Sequence, residues 1–199
     1  MADPIEFYFD FSSPYGYFAA HRIDELAARH GRETVWKPFL LGAVFKATGG
    51  APLVDIPMKG DYARIDLPRT GRMLGLPFTL PSPFPFLALA SSRAVYHLSD
   101  TDPAAAKRLA LALYDAAFGE GRDIGQADAV LDIAAGLGHD RAALAAAIAD
   151  PAVKERLKQE TDTAIHKGVF GSPFVIVDGE PFWGHDRLAM VEWRLGHAS

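Results

Sequence analysis

The chain has 199 residues, no cysteine, and 20 Lys and Arg against 25 Asp and Glu, which gives a formal net charge of −5. Its length suits one domain, or one core with a large insertion, and the 49% hydrophobic and 23% charged residues are typical of a globular protein. The missing thiols exclude disulfides, thiolate nucleophiles, iron–sulfur clusters and cysteine-based zinc sites, and the lack of a basic block argues against a nucleic-acid partner.

The sequence predicts neither a membrane-spanning segment nor a secretory signal peptide. The most apolar stretch, residues 80–98, is interrupted by prolines and by Arg93, so it does not have the apolar run that a membrane helix needs. Residues 1–4 lead directly into a strand-like segment, without the basic and apolar regions of a signal peptide. We therefore expect no membrane partner and a cytoplasmic location.

The first forty residues predict a β-α-β unit. Residues 5–11 (IEFYFDF) are rich in aromatic residues and predict a strand. Ser13 is suited to cap a helix in which Pro14 is the first residue and which ends near Gly31. Residues 34–37 (TVWK) predict the second strand.

The middle of the chain, from Asp61 to about Lys167, has helical periodicity and no convincing strand pattern. Asp102 and Asp150 are each followed by a proline, which is typical of a capping residue and the first residue of a helix. This part of the chain is predicted to be helical.

The end of the chain predicts two strands and a helix. Residues 174–177 (FVIV) and 181–183 (PFW) flank the turn-forming pair Asp178-Gly179, which indicates a hairpin, and a helix is expected from about Asp186 to Leu195. The order β-α-β, helices, β-β-α is that of an α/β thioredoxin-like fold with a large all-helical insertion. We predict a thioredoxin-like domain of residues 1–40 and 168–199, and an inserted helical domain of residues 41–167.

Three motifs make the comparison with this fold specific, and the first lies where such folds carry their active pair. They are residues 9–17 (FDFSSPYGY), residues 39–49 (FLLGAVFKATG) with 57–62 (PMKGDY), and residues 168–174 (GVFGSPF) with 182–188 (FWGHDRL). Together, and in this order, they closely resemble those of the 2-hydroxychromene-2-carboxylate isomerases and the related kappa-class glutathione transferases. The resemblance runs along nearly the whole chain and implies a DsbA-like thioredoxin fold with glutathione as the cofactor.

By this resemblance Ser13 is the catalytic residue. Redox-active relatives carry Cys-x-x-Cys where this chain has Ser13 and Gly16, so thiol–disulfide exchange is excluded here. A serine at a helix N-terminus can donate a hydrogen bond to a bound thiolate, and together with the helix dipole could lower a thiol pKa by about two units. We prefer this role to that of a covalent nucleophile, because the sequence shows no adjacent base. A simple helix cap is the alternative.

The resemblance also implies a set of glutathione-binding residues. The main chain of Ser172, before an expected cis Pro173, is predicted to pair with the cysteinyl unit; a trans proline beginning an edge strand is the alternative. Asp186, beside His185, suits the γ-glutamyl end; an N-capping Asp186 followed by a solvated Arg187 is the alternative. Lys59 matches a lysine that contacts glutathione or a substrate carboxylate, but it could equally be a solvated lysine.

The acceptor side of the site is less defined. Gly50 and Leu87 stand where relatives commonly carry asparagine, which leaves the acceptor substrate open. The seven histidines form no metal-binding pattern, so no metal is expected. Several aromatic residues, each of which could instead belong to the core, are predicted to line an acceptor pocket: Tyr15, Tyr17, Phe45 and Trp183.

The leading functional hypothesis is a glutathione-dependent isomerase. It would convert 2-hydroxychromene-2-carboxylate, or a similar small aromatic acid from ring cleavage, to the trans hydroxybenzylidenepyruvate type. The alternatives are a kappa-like glutathione transferase, which would release the conjugate, and a noncatalytic thioredoxin-fold binding module. Relatives are commonly dimers, so a homodimer is expected.

Overall fold

Four strands form one mixed sheet in the computed structural model, which describes residues 3–197. They are β1 (Ile5–Phe9), β2 (Thr34–Pro38), β3 (Phe174–Val177) and β4 (Glu180–Trp183), in the order β2-β1-β3-β4. β1 pairs parallel with β2 and antiparallel with β3, and β4 is antiparallel to β3. The predicted thioredoxin-like fold is confirmed; Met1 and Ala2, used in the argument on a secretory signal, lie outside the described residues.

The other regular elements are helical. The α-helices are α1 (Pro14–Arg29), α2 (Leu41–Thr48), α3 (Lys59–Leu74), α4 (Leu89–Ser99), α5 (Pro103–Tyr114), α6 (Ala127–Gly136), α7 (Arg141–Ala149), α8 (Pro151–His166) and α9 (Leu188–Gly196). Short 3-10 turns cover Leu53–Asp55 and His185–Arg187, and a π-helical turn extends α5 over Asp115–Gly119. All residues from 39 to 173 are described and none of them lies in a strand, as predicted for the middle of the chain.

The two faces of the sheet pack against different helices. Ile5, Phe7 and Phe9 join the large core that includes apolar side chains of α1, α5 and α9. Tyr8 points to the opposite face, where it packs with side chains of α2 and α8 in a smaller core. This alternation is that of a strand buried on both sides, and it fixes the carboxyl end of β1 inside the molecule. The division into two domains stays a prediction. Helix α8 belongs to the predicted insert, yet it packs on the sheet of the thioredoxin-like part.

Local rules correctly identified three of the helix starts that the sequence analysis named. Ser13, Asp102 and Asp150 each accept a backbone N–H at the start of α1, α5 and α8. The last helix, predicted from about Asp186, begins as a 3-10 turn at His185–Arg187 and continues as α9 from Leu188. Neither element has a side-chain cap, and the carboxylate of Asp186 pairs with Arg187. None of the described helices is long and apolar enough to cross a membrane.

Candidate active site

A cleft of about 1320 Å³ opens where the carboxyl end of β1 meets the start of α1, the loop before β3, and helices α2 and α3. Its volume exceeds that of a usual single-ligand pocket, which is roughly 300–1,000 Å³. Nine of the ten site residues predicted from the sequence line it: Ser13, Tyr15, Phe45, Lys59, Ser172, Pro173, Trp183, His185 and Asp186. The structure thus brings residues from both ends of the chain together; their roles remain predictions.

Tyr17 does not belong to this cleft, so its prediction as a pocket residue was wrong. It is fully buried, and its phenol donates a hydrogen bond to the carbonyl oxygen of Pro77 over 2.9 Å. Its ring packs in the core with those of Tyr114 and Phe118. The reason is helical geometry: residues two apart on a helix point to nearly opposite sides, so Tyr15 can face the cleft only if Tyr17 faces the core.

Ser13 is an almost buried N-cap at the floor of the cleft, with 6% of its surface exposed. Its Oγ accepts the N–H of Gly16 at 3.1 Å and donates to the carbonyl oxygen of Ser172 at 2.8 Å. Ser172 in turn accepts the N–H of Asp10 on its Oγ at 3.0 Å, and the Ser172–Pro173 bond is cis, as predicted. The hydroxyl proton of Ser13 therefore already has an acceptor within the protein.

Gly16 allows the first turn of α1 to lie this close to the loop before β3. A Cβ atom at this position would be 2.4 Å from the Tyr114 Oη and 3.2 Å from the Ser172 Oγ. Tyr114 cannot easily move aside, because it is fully buried and donates to the carbonyl oxygen of Asp10 at 2.9 Å. Any side chain at Gly16 would push the helix start away from the loop.

Asp10 holds this part of the cleft together and was not singled out in the sequence. Its buried carboxylate accepts the N–H and hydroxyl of Ser12, at 2.7 and 2.8 Å, and the N–H of Leu41 at 2.7 Å. Burial raises the pKa of Asp10, and these hydrogen bonds act in the opposite direction. An aspartate inside an apolar strand was the available signal, since a buried carboxylate needs several donors.

A second carboxylate, Asp66 of α3, was also missed. Its Oδ2 accepts the phenol of Tyr15 at 2.9 Å and its Oδ1 that of Tyr62 at 3.3 Å, while Arg69 lies 3.8 Å away. Burial and the neighbouring carboxylate of Asp66 raise the pKa of Tyr15 well above its usual value. The spacing of Tyr62, Asp66 and Arg69 on one helix face was a signal, but the partnership with Tyr15 joins residues 51 positions apart.

His185 and Asp186 lie on the turn before α9. The His185 ring stacks on that of Tyr15, with centroids 5.3 Å apart and an interplanar angle of 6°. Burial lowers the pKa of His185, which favours the neutral imidazole. The carboxylate of Asp186 pairs with Arg187 at 2.6 Å and is more than half exposed. It is therefore accessible to a ligand, although a three-residue 3-10 turn gives it little helix dipole.

The opposite wall of the cleft is largely apolar. The ring of Phe45 lies over Gly50, where a Cβ atom would be 2.7 Å from the Phe45 Cδ1, and Leu87 is 74% exposed at the rim. Lys59, the first residue of α3, supplies a cation at this wall. Within residues 3–197, no three His, Asp or Glu side chains are grouped so that they could hold a metal ion.

Comparison with known proteins identifies the fold. Residues 4–196 match the DSBA-like thioredoxin domain family. A solved structure of a 2-hydroxychromene-2-carboxylate isomerase superimposes with a TM-score of 0.86 at 30% identity and covers 98% of this chain and 95% of its own.

Two groups of curated relatives match nearly the whole chain. The 2-hydroxychromene-2-carboxylate isomerase of Pseudomonas putida is 32% identical over 199 residues, 96% of this chain and 94% of the relative. Glutathione S-transferase kappa 1 of Homo sapiens is 27% identical, with 96% of this chain and 90% of the relative covered.

Proposed function

Since this chain belongs to the 2-hydroxychromene-2-carboxylate isomerase family of DSBA-like thioredoxin domains, we propose that it is a glutathione-dependent isomerase. Its substrate is 2-hydroxychromene-2-carboxylate or a similar aromatic ring-cleavage product. The observation that carries this proposal is the convergence of Ser13, Ser172, Lys59 and Asp186, from distant parts of the chain, on one cleft.

The polar groups of the cleft match those of glutathione, a tripeptide with one thiol, one ammonium, two carboxylates and two amides. The Ser13 hydroxyl at the start of α1 suits the thiol, and the main chain of Ser172 and Pro173 suits the cysteinyl unit. The exposed carboxylate of Asp186 suits the ammonium, and Lys59 suits a carboxylate. Each type of charged group on the ligand thus has a partner of opposite charge.

When bound, glutathione supplies a thiolate that adds reversibly to the conjugated alkene, so that the bond can rotate to the trans form. The task of Ser13 is to donate its hydroxyl proton to the sulfur instead of to the Ser172 carbonyl, while its Oγ keeps the N–H of Gly16. The positive end of the 16-residue helix α1 favours negative charge at the same place. The apolar wall that includes Phe45 and Leu87 suits the aromatic part of the acceptor.

Isomerase and transferase activity differ in the fate of glutathione, which gives the test. Purified protein is incubated with 2-hydroxychromene-2-carboxylate, with and without glutathione. We expect the trans product to form only with glutathione, and glutathione to be recovered unchanged. Loss of one glutathione per substrate would instead assign a kappa-like transferase. Binding of glutathione without turnover would favour a noncatalytic binding module, and a failure to bind glutathione at millimolar concentration in calorimetry would refute the proposed site.

Binding of the γ-glutamyl ammonium by Asp186 is tested by Asp186→Asn. The loss of one charged hydrogen bond at an exposed site weakens glutathione binding by about 10-fold, which corresponds to about 1.4 kcal/mol. Asp61→Asn, which removes an exposed carboxylate from the first turn of α3, is the matched control and leaves the affinity unchanged. Equal affinities of the two variants would remove Asp186 from the proposed site.

The proposal includes a cytoplasmic location and a homodimer. The cytosol holds the glutathione pool that such an enzyme would use. The dimer is proposed from the family resemblance.

A further inference from the structure

The pair of Tyr15 and Asp66 lies in the wall of the cleft but has no part in glutathione binding as proposed above. Tyr15 is the second residue of α1, directly after Ser13 and Pro14, and Asp66 belongs to α3 in the predicted insert. Both side chains line the cleft. A phenol that is hydrogen-bonded to a carboxylate inside a ligand cleft can transfer protons.

The Tyr15 phenol is held in a defined position. Its proton is donated to the Asp66 Oδ2 at 2.9 Å, so the lone pairs of its oxygen remain available to a ligand hydroxyl. The ring is fixed by the stacked imidazole of His185 and by the edge of Phe18, whose centroid is 6.4 Å away. Tyr15 is thereby a hydrogen-bond acceptor toward the cleft and a donor toward Asp66.

The substrate of the proposed reaction has a matching requirement. In 2-hydroxychromene-2-carboxylate one carbon carries both the hydroxyl and the ring oxygen. Opening the ring removes the proton from the hydroxyl and later delivers a proton to the released phenolate. Because the two oxygens share a carbon, one group of the protein can serve both.

We propose that Tyr15 and Asp66 form a proton relay that opens the chromene ring; this inference rests on the proposed function. The substrate hydroxyl gives its proton to the Tyr15 Oη as Tyr15 gives its own proton to the Asp66 Oδ2. The electron pair of the broken O–H bond forms the keto group, the bond between the shared carbon and the ring oxygen breaks, and its pair stays on that oxygen as a phenolate. Asp66 then returns its proton to Tyr15, which protonates the phenolate.

Neighbouring groups of the cleft are less suited to this role. The Nδ1 of His185 is buried and has no hydrogen-bond partner within residues 3–197, and the face of its ring is covered by Tyr15. Lys59 and Arg69 are cations, which have no lone pair to accept a proton. Tyr62 shares Asp66, but it is 56% exposed and its bond is longer, at 3.3 Å. Tyr15 is thus the phenol that the cleft holds in place.

Ring opening needs no thiol, so the relay can be tested without glutathione. The cyclic substrate is mixed with protein, and its approach to equilibrium with the open cis form is followed by absorbance. The rate measured without protein is subtracted. Wild type accelerates ring opening. Tyr15→Phe lowers the protein-dependent rate about 100-fold or more and Asp66→Asn about 10-fold, as for the loss of general acid–base catalysis. Tyr62→Phe, which removes the other phenol from Asp66, changes it less than about 2-fold.

A second substrate separates this inference from the proposed function. Cis-benzylidenepyruvate has no ring hydroxyl and cannot cyclise, so its isomerisation with glutathione needs no ring opening. Tyr15→Phe isomerises it within about 3-fold of wild type if the relay is correct. An equal loss on both substrates, normal ring opening by Tyr15→Phe, or no acceleration by wild type would each overturn the relay. Failure of wild type to isomerise benzylidenepyruvate would count against the proposed function instead.

Discussion

At the scale of single residues, the hydroxyl of Ser13 is divided between two tasks. It caps α1 by accepting the Gly16 N–H and ties the helix start to the loop before β3 by donating to the Ser172 carbonyl. A thiolate beside Ser13 competes with that carbonyl for a single proton. The gain from a charged hydrogen bond, about 1.5–3 kcal/mol, is therefore reduced by the neutral one that is given up, about 1 kcal/mol. The net effect of the hydroxyl is about one pKa unit, at the lower end of the one to two units expected for the serine from sequence.

Ser13→Ala is therefore expected to raise the pKa of bound glutathione by about one unit. The thiolate fraction and turnover fall about 3- to 10-fold at neutral pH, and turnover recovers in alkali because the thiol then ionises without help. The measurement is the pH dependence of thiolate absorbance in the complex. Ser12→Ala, which loses a hydroxyl bonded to Asp10 instead, is the control and keeps the thiol pKa.

Other results would assign Ser13 a different role. A covalent nucleophile could not be replaced by alkali, so turnover of Ser13→Ala would stay low at every pH. A simple cap would cost about 1 kcal/mol of stability and leave the thiol pKa unchanged.

At the scale of elements, the sequence was sufficient wherever neighbours along the chain decide the structure. The caps at Asp102 and Asp150 need only a side chain and a backbone N–H a few residues later. The hairpin turn at Asp178 and Gly179 needs only residues that tolerate positive φ, which are 50° and 85° here. These predictions are confirmed because local energies determine them.

Elements and site residues fixed by distant contacts were missed. Helix α2 has no side-chain cap of its own, and its first N–H is bound by Asp10, 31 residues earlier. Asp66 acquires its role only when α3 packs beside α1. Sequence motifs located most of the cleft residues, but not the side chains that hold them.

Gly16→Ala tests whether the start of α1 must lie so close to the core. The added methyl group meets the buried Tyr114 phenol at 2.4 Å, so overpacking destabilises the protein by about 1–3 kcal/mol and weakens glutathione binding. Gly136→Ala is the control: it is also helical, nothing lies within 4 Å of its new Cβ, and helix propensity stabilises it by up to about 1 kcal/mol. Urea unfolding measures both, and a shift of the same sign in both variants would contradict the packing argument.

At the scale of the whole molecule, a polar network joins the sheet to the helical region. The Asp24 carboxylate on α1 accepts the Thr34 hydroxyl, the Trp36 Nε1–H at 2.8 Å and the Lys107 ammonium at 2.9 Å. Lys107 lies on α5, so the network links α1, β2 and a helix of the predicted insert. Together with α8 on the other face of the sheet, it favours unfolding of the two regions as one unit.

Asp24→Ala removes the acceptor shared by three donors. Lys107 and Trp36 still donate hydrogen bonds to the Thr34 Oγ1, at 2.7 and 3.1 Å, so the loss is partly compensated. We therefore expect about 2 kcal/mol of destabilisation. For a chain of this size that lowers the melting temperature by about 4–8 °C. Glu25→Ala is the adjacent control: its side chain is 78% exposed and pairs only with surface Arg29, so it costs about 0.5 kcal/mol or less.

Because the network joins the two regions, the fluorescence of the buried Trp36 and the helical circular dichroism should keep a common midpoint in Asp24→Ala, displaced to lower temperature. Two separate transitions in wild type, or a displacement no larger than that of Glu25→Ala, would show that the helical region and the sheet do not depend on this network.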